Sequence, residues 1–176
     1  MKRFSPRLLL ACTLICVLVP AVTAAAADPA PTQDLPATAT YGDLEVPVSL
    51  AVGMGLNCNL IGDGLSCYPS EADAQTAAVD AAVLAASCSP PMTLYDGTSF
   101  TGASVSIFTQ GVWINLSGIG GGFANRTSSW VTGCAGGYLA DGTGGAGTRI
   151  GMAAGGQQAS LGTFNNLASS ARRCPC

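Results

Sequence analysis

Two stretches of this sequence recur in the same order and decide the fold. The hairpin-like stretch Leu94-Tyr95-Asp96-Gly97-Thr98 returns as Leu139-Ala140-Asp141-Gly142-Thr143. Downstream of each copy, Phe123-Ala124-Asn125-Arg126-Thr127-Ser128-Ser129 returns as Phe164-Asn165-Asn166-Leu167-Ala168-Ser169-Ser170. Asp-Gly is a turn dipeptide between strands. Two copies with a period slightly over 40 residues are too few for a solenoid, so the repeat favours two Greek keys packed face to face.

The residues around the repeat alternate between short strand-like runs and glycine-rich turns. Four runs stand out, at residues 92–95, 104–108, 112–116 and 130–132. Several short strands separated by turn signals are typical of a β-sandwich or barrel. We therefore predict a mainly β fold for residues 88–176.

Three residues of the first hairpin carry a family signature. Tyr95, Phe100 and Gly102 have the spacing Y-x4-F-x-G, which resembles the Greek-key hairpin of βγ-crystallin domains. The resemblance implies a domain with two motifs, 88–133 and 134–176. Ala140 and Gly145 stand in the second motif where Tyr95 and Phe100 stand in the first. That departure predicts a looser second hairpin.

The second repeated stretch resembles the calcium clamp of the same family, N/D-N/D-x-x-S/T-S. Residues 165–170 match it in full, and residues 124–129 match it except at Ala124. Calcium takes about six to eight oxygen ligands. Neither clamp holds a carboxylate, so any binding is expected near the weak, millimolar end of the extracellular range. The alternative is that these side chains only hydrogen-bond the loop. The candidate metal ligands are Asn125, Ser128, Asn165, Asn166 and Ser169.

The resemblance also implies a function. Among secreted bacterial proteins, this fold with cysteines is similar to the crystallin-fold peptidase inhibitors, which include inhibitors of metalloproteinases. A rigid loop on such a scaffold would bind a secreted protease with little loss of entropy. The alternatives are a calcium-binding extracellular structural module and a toxin-like or antimicrobial secreted protein.

The first 27 residues have the three parts of a secretory signal. A basic start (Lys2, Arg3, Arg7) precedes an apolar run and a small-residue exit. The run is short for a membrane span and has no basic flank after it. We expect an extracellular, monomeric protein that is not membrane-bound once the signal is cleaved.

Between the signal and the β domain, the sequence predicts two further segments. Residues 28–40 are rich in Pro, Ala and Thr and are expected to form a flexible leader. Residues 41–87 are predicted to form a hairpin and one short helix, and the helix is expected to start after Ser70. A strand over residues 44–52 is predicted to come before the hairpin, and Pro47 would restrict that strand to a sheet edge.

Cleavage of the signal leaves six cysteines, an even number that predicts three disulfides in an exported chain. Cys58 and Cys67 flank a turn and are expected to pair. Cys174 and Cys176 are separated only by Pro175, so on an extended strand they point the same way. Cys174 and Cys176 should therefore not bond each other, and each is expected to pair with Cys88 or Cys134.

Composition argues against several functions. The chain contains no histidine, which excludes Ser-His-Asp and Cys-His catalysis and removes the commonest transition-metal ligand. After cleavage, four arginines oppose ten acidic residues, a formal charge of −6 without any lysine. Nucleic acids and anionic membranes attract positive surfaces, so neither is an expected partner. We predict a protein that is not an enzyme.

Overall fold

A computed structural model describes residues 30–34, 36–85, 90–117 and 122–175, and the side chains of residues 80–85 are not described. The predicted signal peptide therefore lies outside the described residues, as do Cys88 and Cys176. Within those ranges, neither α-helix is long and apolar enough to cross a membrane.

The described chain forms thirteen strands in two sheets, with two α-helices. The strands are β1 (Thr32–Asp34), β2 (Thr38–Tyr41), β3 (Leu44–Pro47), β4 (Asn57–Ile61), β5 (Gly64–Tyr68), β6 (Met92–Tyr95), β7 (Ser104–Ile107), β8 (Trp113–Asn115), β9 (Ser129–Val131), β10 (Gly137–Ala140), β11 (Arg149–Met152), β12 (Gln157–Gln158) and β13 (Ser170–Arg173). The helices are α1 (Val48–Gly53) and α2 (Glu71–Ala85). One sheet has the order β1-β8-β13-β10-β11, and the other β12-β9-β6-β7-β4-β5-β2-β3.

Strands β6–β9 and β10–β13 form two Greek keys that exchange a strand. In each key the first strand pairs antiparallel with the second and the fourth, β6 with β7 and β9, and β10 with β11 and β13. The third strand joins the other sheet, since β8 pairs with β13 and β12 pairs with β9. Each sheet therefore contains strands of both keys. The predicted mainly β fold and its four strand runs are confirmed.

The core lies between the two sheets and follows the two-residue period of β-strands. On β6, Met92 and Leu94 are fully buried, whereas Thr93 between them is only partly buried. Fully buried side chains on the other Greek-key strands are Ile107, Ile114, Leu139 and Ala171. Each Greek key therefore covers the apolar face of the other and excludes it from water.

The prediction of a looser second hairpin is wrong. In the first hairpin the rings of Tyr95 and Phe100 meet edge to face, with centroids 5.9 Å apart. In the second, Gly145 lies directly against the indole of Trp113, which comes from the first key. Both hairpins close with equivalent backbone bonds of 2.9 and 3.0 Å. An aromatic ring from across the domain thus supports the hairpin that lacks its own.

The segment predicted as a flexible leader contains two strands. β1 pairs parallel with β8, and β2 pairs with β3 and β5. β1 attaches to the open edge of β8, and β2 lies between β5 and β3. In both strands the backbone hydrogen bonds form without an apolar period in the strand itself. The prediction for residues 28–40 is therefore wrong for β1 and for the first three residues of β2.

Residues 41–85 extend the larger sheet and cover part of it. β4 pairs parallel with β7, and β3 lies at the sheet edge as Pro47 predicted. The strand predicted to continue to residue 52 is instead helix α1, because Val48, Ala51 and Val52 bury one helical face. Helix α2 begins as predicted, with the Asp73 N–H donating to Ser70 Oγ at 3.1 Å.

The cysteines agree with the predicted pairing in part. Cys58 and Cys67 are cross-strand neighbours with Cα atoms 4.0 Å apart, and their disulfide is confirmed. Cys134 is also disulfide-bonded. Cys174 has a free thiol, so the prediction that it is bonded is wrong. The other cysteines of the described chain are already in disulfides and leave it no partner there.

Replacing Cys58 and Cys67 together by alanine should lower the free energy of unfolding by about 2.5 kcal/mol, the entropy of closing a short loop. Both residues are buried, and the β4–β5 hairpin that they cross-link joins the first Greek key through the pairing of β4 with β7. Urea denaturation of both proteins measures the difference. A loss below about 1 kcal/mol would show that the β4–β5 hairpin is fixed by sheet pairing alone.

Candidate functional site: the crossed clamp loops

The candidate site is formed by two loops, residues 124–129 and 165–170, which we call the clamp loops. Each begins after a buried phenylalanine, Phe123 or Phe164, and leads into the fourth strand of its Greek key. A large buried ring at one end and a paired strand at the other fix both ends of each loop. The repeat seen in the sequence thus places two equivalent loops in one domain.

The clamp loops cross each other through reciprocal backbone hydrogen bonds. The Asn125 N–H donates to the carbonyl of Ala168 at 2.8 Å, and the Asn166 N–H donates to the carbonyl of Thr127 at 3.0 Å. Both asparagines have positive φ, 55° and 58°, a conformation that asparagine tolerates better than most residues. The crossing brings residues about 40 positions apart into contact and makes a site that neither key could form alone.

Side-chain oxygens from both keys meet at this crossing. Ser128 Oγ lies 3.2 Å from Asn166 Oδ1 and 3.4 Å from the carbonyl oxygen of Arg126. Ser169 Oγ lies 3.4 Å from Asn125 Oδ1. Four of the five predicted ligand residues are therefore paired across the loops: the first serine of each loop contacts the asparagine at the second position of the other loop.

The fifth predicted ligand residue, Asn165, stands apart from these pairs. Its Oδ1 is buried and has no hydrogen-bond partner. Its counterpart in the other loop is Ala124, which offers no oxygen. The second clamp loop therefore carries one unpaired acceptor that the first lacks.

The second serine of each loop has a different task, which the sequence analysis missed. Ser170 Oγ donates to the carbonyl of Gly142 at 2.6 Å and accepts from the Gly145 N–H at 3.0 Å. Ser129 does the same in the first key, with Gly97 and Phe100. Both serines are fully buried. The recurring Ser-Ser pair was the available signal: one serine faces the crossing, and the next closes its own hairpin.

Ser170→Ala is expected to lower the free energy of unfolding by about 2 kcal/mol, because it leaves a buried donor (Gly145 N–H) and a partly buried acceptor (the Gly142 carbonyl) without this partner. Ser169→Ala is the matched control. Ser169 is only partly buried and makes one long contact, so in the presence of a chelator its loss should cost less than about 0.5 kcal/mol. Equal losses in the free energy of unfolding for Ser170→Ala and Ser169→Ala, measured by urea denaturation, would contradict the different roles of the two serines.

An ion pair lies beside the crossing. Arg126 Nη2 is 2.7 Å from Asp96 Oδ2, and the two side chains line a cavity of about 240 Å³ together with Asn125 and Asn166. From the sequence, Asp96 is expected to be a turn residue in preference to one member of a carboxylate pair with Asp141. The contact joins a hairpin to a loop 30 residues later, so no local pattern indicated it.

The first hairpin is also bound to helix α2. Tyr95 donates its hydroxyl to Glu71 Oε1 at 2.8 Å. Burial, followed by this hydrogen bond to a carboxylate, raises the pKa of the Tyr95 hydroxyl well above its usual value. A cavity of about 570 Å³ lies next to this pair, between α2 and the outer face of the larger sheet. Hydroxyls on its floor, Thr93 and Ser106, bond each other at 2.9 Å.

Solved structures similar to this chain match about half of it. The N-terminal domain of protein S is 24% identical, with 49% of this chain and 97% of that domain covered and a TM-score of 0.41. A βγ-crystallin domain from Flavobacterium johnsoniae is 23% identical, with 49% and 96% covered and a TM-score of 0.41. A βγ-crystallin from Ciona intestinalis is 18% identical, with 48% and 99% covered and a TM-score of 0.41. No family model and no curated protein matches.

The oxygens at the crossing suit a hard cation better than a transition metal. In the described part of the chain, no group of three or more His, Cys, Asp or Glu side chains could hold a metal. Two oxygens that each lie about 2.4 Å from one calcium ion and about 85° apart are separated by about 3.2 Å. The Ser128–Asn166 and Ser169–Asn125 separations have this size. Asn165 Oδ1 adds one buried acceptor without a hydrogen-bond partner to the second clamp loop.

Proposed function

We propose that this chain is an exported, non-catalytic binding module whose crossed clamp loops bind calcium weakly. One observation supports the calcium site above all: at two places a serine oxygen of one Greek key and an asparagine oxygen of the other lie 3.2 to 3.4 Å apart. A cation held there would have ligands from both keys. Neutral ligands attract a divalent cation less than carboxylates do, so a dissociation constant near the millimolar range is expected.

A cation that joins the two keys binds the folded chain and not the unfolded one. At calcium ten times its dissociation constant, the gain in stability is about 1.4 kcal/mol. For a domain of this size, that gain corresponds to a rise of a few degrees in melting temperature.

The test is a thermal melt with and without about 10 mM calcium, well past the weak extracellular range, compared with the same concentration of magnesium. The combined variant Ser128→Ala and Ser169→Ala should lose the calcium-dependent shift. Ser117→Ala, an exposed serine outside the clamp loops, is the matched control and should keep it. A wild-type chain without any calcium-specific shift over this range would refute the calcium site and leave the loops as plain hydrogen-bonding structure.

Export and the absence of catalysis rest on the sequence. The basic, apolar and small-residue segments before Asp28 support export, and the lack of histidine supports a binding role. Mass analysis of the secreted protein should find an N-terminus between Ala25 and Asp28. A secreted chain that retains Met1 would contradict cleavage.

A second candidate function is peptidase inhibition, and one surface favours a protein partner. Leu50 in helix α1 and Met54, the residue that caps the C-terminus of α1, are 51% and 54% exposed and lie four residues apart. Leu44 on the edge strand β3 is 64% exposed. Exposed large apolar side chains that lie close together, such as Leu50 and Met54, are typical of protein contact sites. The resemblance to crystallin-fold inhibitors supplies the partner class, a secreted protease.

Inhibition is tested against a panel of thermolysin-like and subtilisin-like proteases at micromolar inhibitor. Leu50→Asp combined with Met54→Asp should abolish inhibition while leaving the calcium-dependent melt unchanged. Val79→Asp changes an equally exposed apolar residue on α2 and should have no effect. If the wild-type protein slows no protease in the panel, this second function is wrong, and the calcium site is unaffected.

A further inference from the structure

We propose that the Arg126–Asp96 ion pair competes with a cation for the clamp loops. The closed ion pair weakens cation binding, and opening of the pair frees the Asp96 carboxylate to act as a ligand. This inference rests on the proposed calcium site and assigns to the ion pair the role of setting the calcium affinity of that site. It assigns roles to two side chains that lie outside the predicted ligand set.

Both side chains are positioned at the crossing by the backbone. The Ser128 N–H donates to the carbonyl of Tyr95 at 2.8 Å, which holds Asp96 next to the first clamp loop. Arg126 lies within that loop, and its own carbonyl oxygen is 3.4 Å from Ser128 Oγ. The backbone of Arg126 thus belongs to the oxygen cluster while its guanidinium extends into the neighbouring cavity.

Asp96 is the only carboxylate among the four residues that line this cavity, and Arg126 is its only cation. Their 2.7 Å contact neutralises the negative charge that would attract a divalent cation. The guanidinium itself repels that cation. Arg126 is 38% exposed, so it can swing into solvent at small cost once a stronger cation competes for Asp96.

The second Greek key provides an internal comparison. Leu167 stands at the position equivalent to Arg126, and Asp141 at the position equivalent to Asp96. Asp141 Oδ1 accepts the Thr148 N–H at 2.8 Å, so it closes its own hairpin. One side of the crossing therefore carries a competing cation, and the other carries an exposed leucine.

The experiment exchanges these equivalent residues and titrates calcium by calorimetry, with terbium luminescence as a second readout. Arg126→Leu, which copies Leu167, should tighten calcium binding about tenfold, because a fixed positive charge is removed and a carboxylate is freed. Arg126→Gln keeps a hydrogen-bond donor without the charge and should tighten calcium binding similarly. It tests the same prediction if the leucine variant folds poorly. Leu167→Arg should weaken binding.

The role of Asp96 is tested in the Arg126→Leu background. Adding Asp96→Asn should return the affinity to the wild-type level, whereas adding Asp141→Asn should leave the gain intact. If the wild type binds calcium and neither Arg126 variant binds more tightly, the competitor is wrong and the calcium site stands. If Asp96→Asn leaves the gain unchanged, Asp96 is not a ligand. If no variant binds calcium, the proposed calcium site fails as well.

Discussion

Replacing Gly145 by alanine should lower the free energy of unfolding by about 3 kcal/mol, the combined cost of overpacking and a left-handed backbone. A Cβ atom at this position would lie 2.1 Å from the ring of Trp113, and φ is +79°. The indole cannot retreat, because Trp113 is buried and the guanidinium of Arg149 covers it at 5.1 Å. Urea denaturation followed by tryptophan fluorescence measures the loss.

The neighbouring glycine separates the two costs. Gly144 has a similar φ of +60°, but a Cβ atom added there would have Thr32 Oγ1 as its nearest neighbour, at 3.4 Å. Gly144→Ala should therefore cost only the backbone part, about 1 kcal/mol. Similar losses for both variants would show that Trp113 does not support the second hairpin by direct packing.

The repeated residues predicted the fold because they act locally. The Asp-Gly turns, the Tyr95–Phe100 contact and the second serine of each Ser-Ser pair act within one hairpin or between a hairpin and the loop of the same key. Such features leave a mark at a fixed spacing in the sequence. Two copies of that mark were enough to indicate two Greek keys.

The features that the sequence did not predict depend on partners far along the chain. β1 is a strand because the edge of β8 accepts it, and nothing in Thr32–Asp34 itself favours a strand. Helix α1 competes with a strand over the same residues, and the burial of Val48, Ala51 and Val52 decides the outcome. Non-local packing commonly overrides a local pattern in this way.

In the candidate site, too, the sequence identified the residues that follow a local pattern and missed the contacts between distant residues. The clamp residues were found from their spacing, and the crossing places Asn125, Ser128, Asn166 and Ser169 in two pairs. Asn165 carries an unpaired oxygen instead of joining a pair. The Arg126–Asp96 pair was missed because each residue has an ordinary local interpretation, one in a loop and one in a turn.

Arg173→Met should lower the free energy of unfolding by about 3 kcal/mol, because it removes a fully buried charged donor from two backbone carbonyl groups. Arg173 is fully buried at the end of β13, and burial lowers the pKa of its guanidinium. Its Nη1 donates to the carbonyl of Phe108 at 2.7 Å, and its Nη2 lies 3.5 Å from the carbonyl of Pro90. The side chain therefore joins one sheet to the segments that flank β6 and β7 in the other.

Methionine fills much of the volume of arginine, so packing changes little and the lost hydrogen bonds dominate. Replacing a complete buried ion pair by apolar residues can be neutral, but the carbonyls of Phe108 and Pro90 belong to the backbone and remain after the substitution. Arg173→Lys keeps one donor and should lose less than Arg173→Met. Arg172→Met, at the neighbouring and only partly buried position of the strand, should change stability by less than about 0.5 kcal/mol. If Arg173→Met unfolds at the wild-type urea concentration, the guanidinium does not hold the two sheets together.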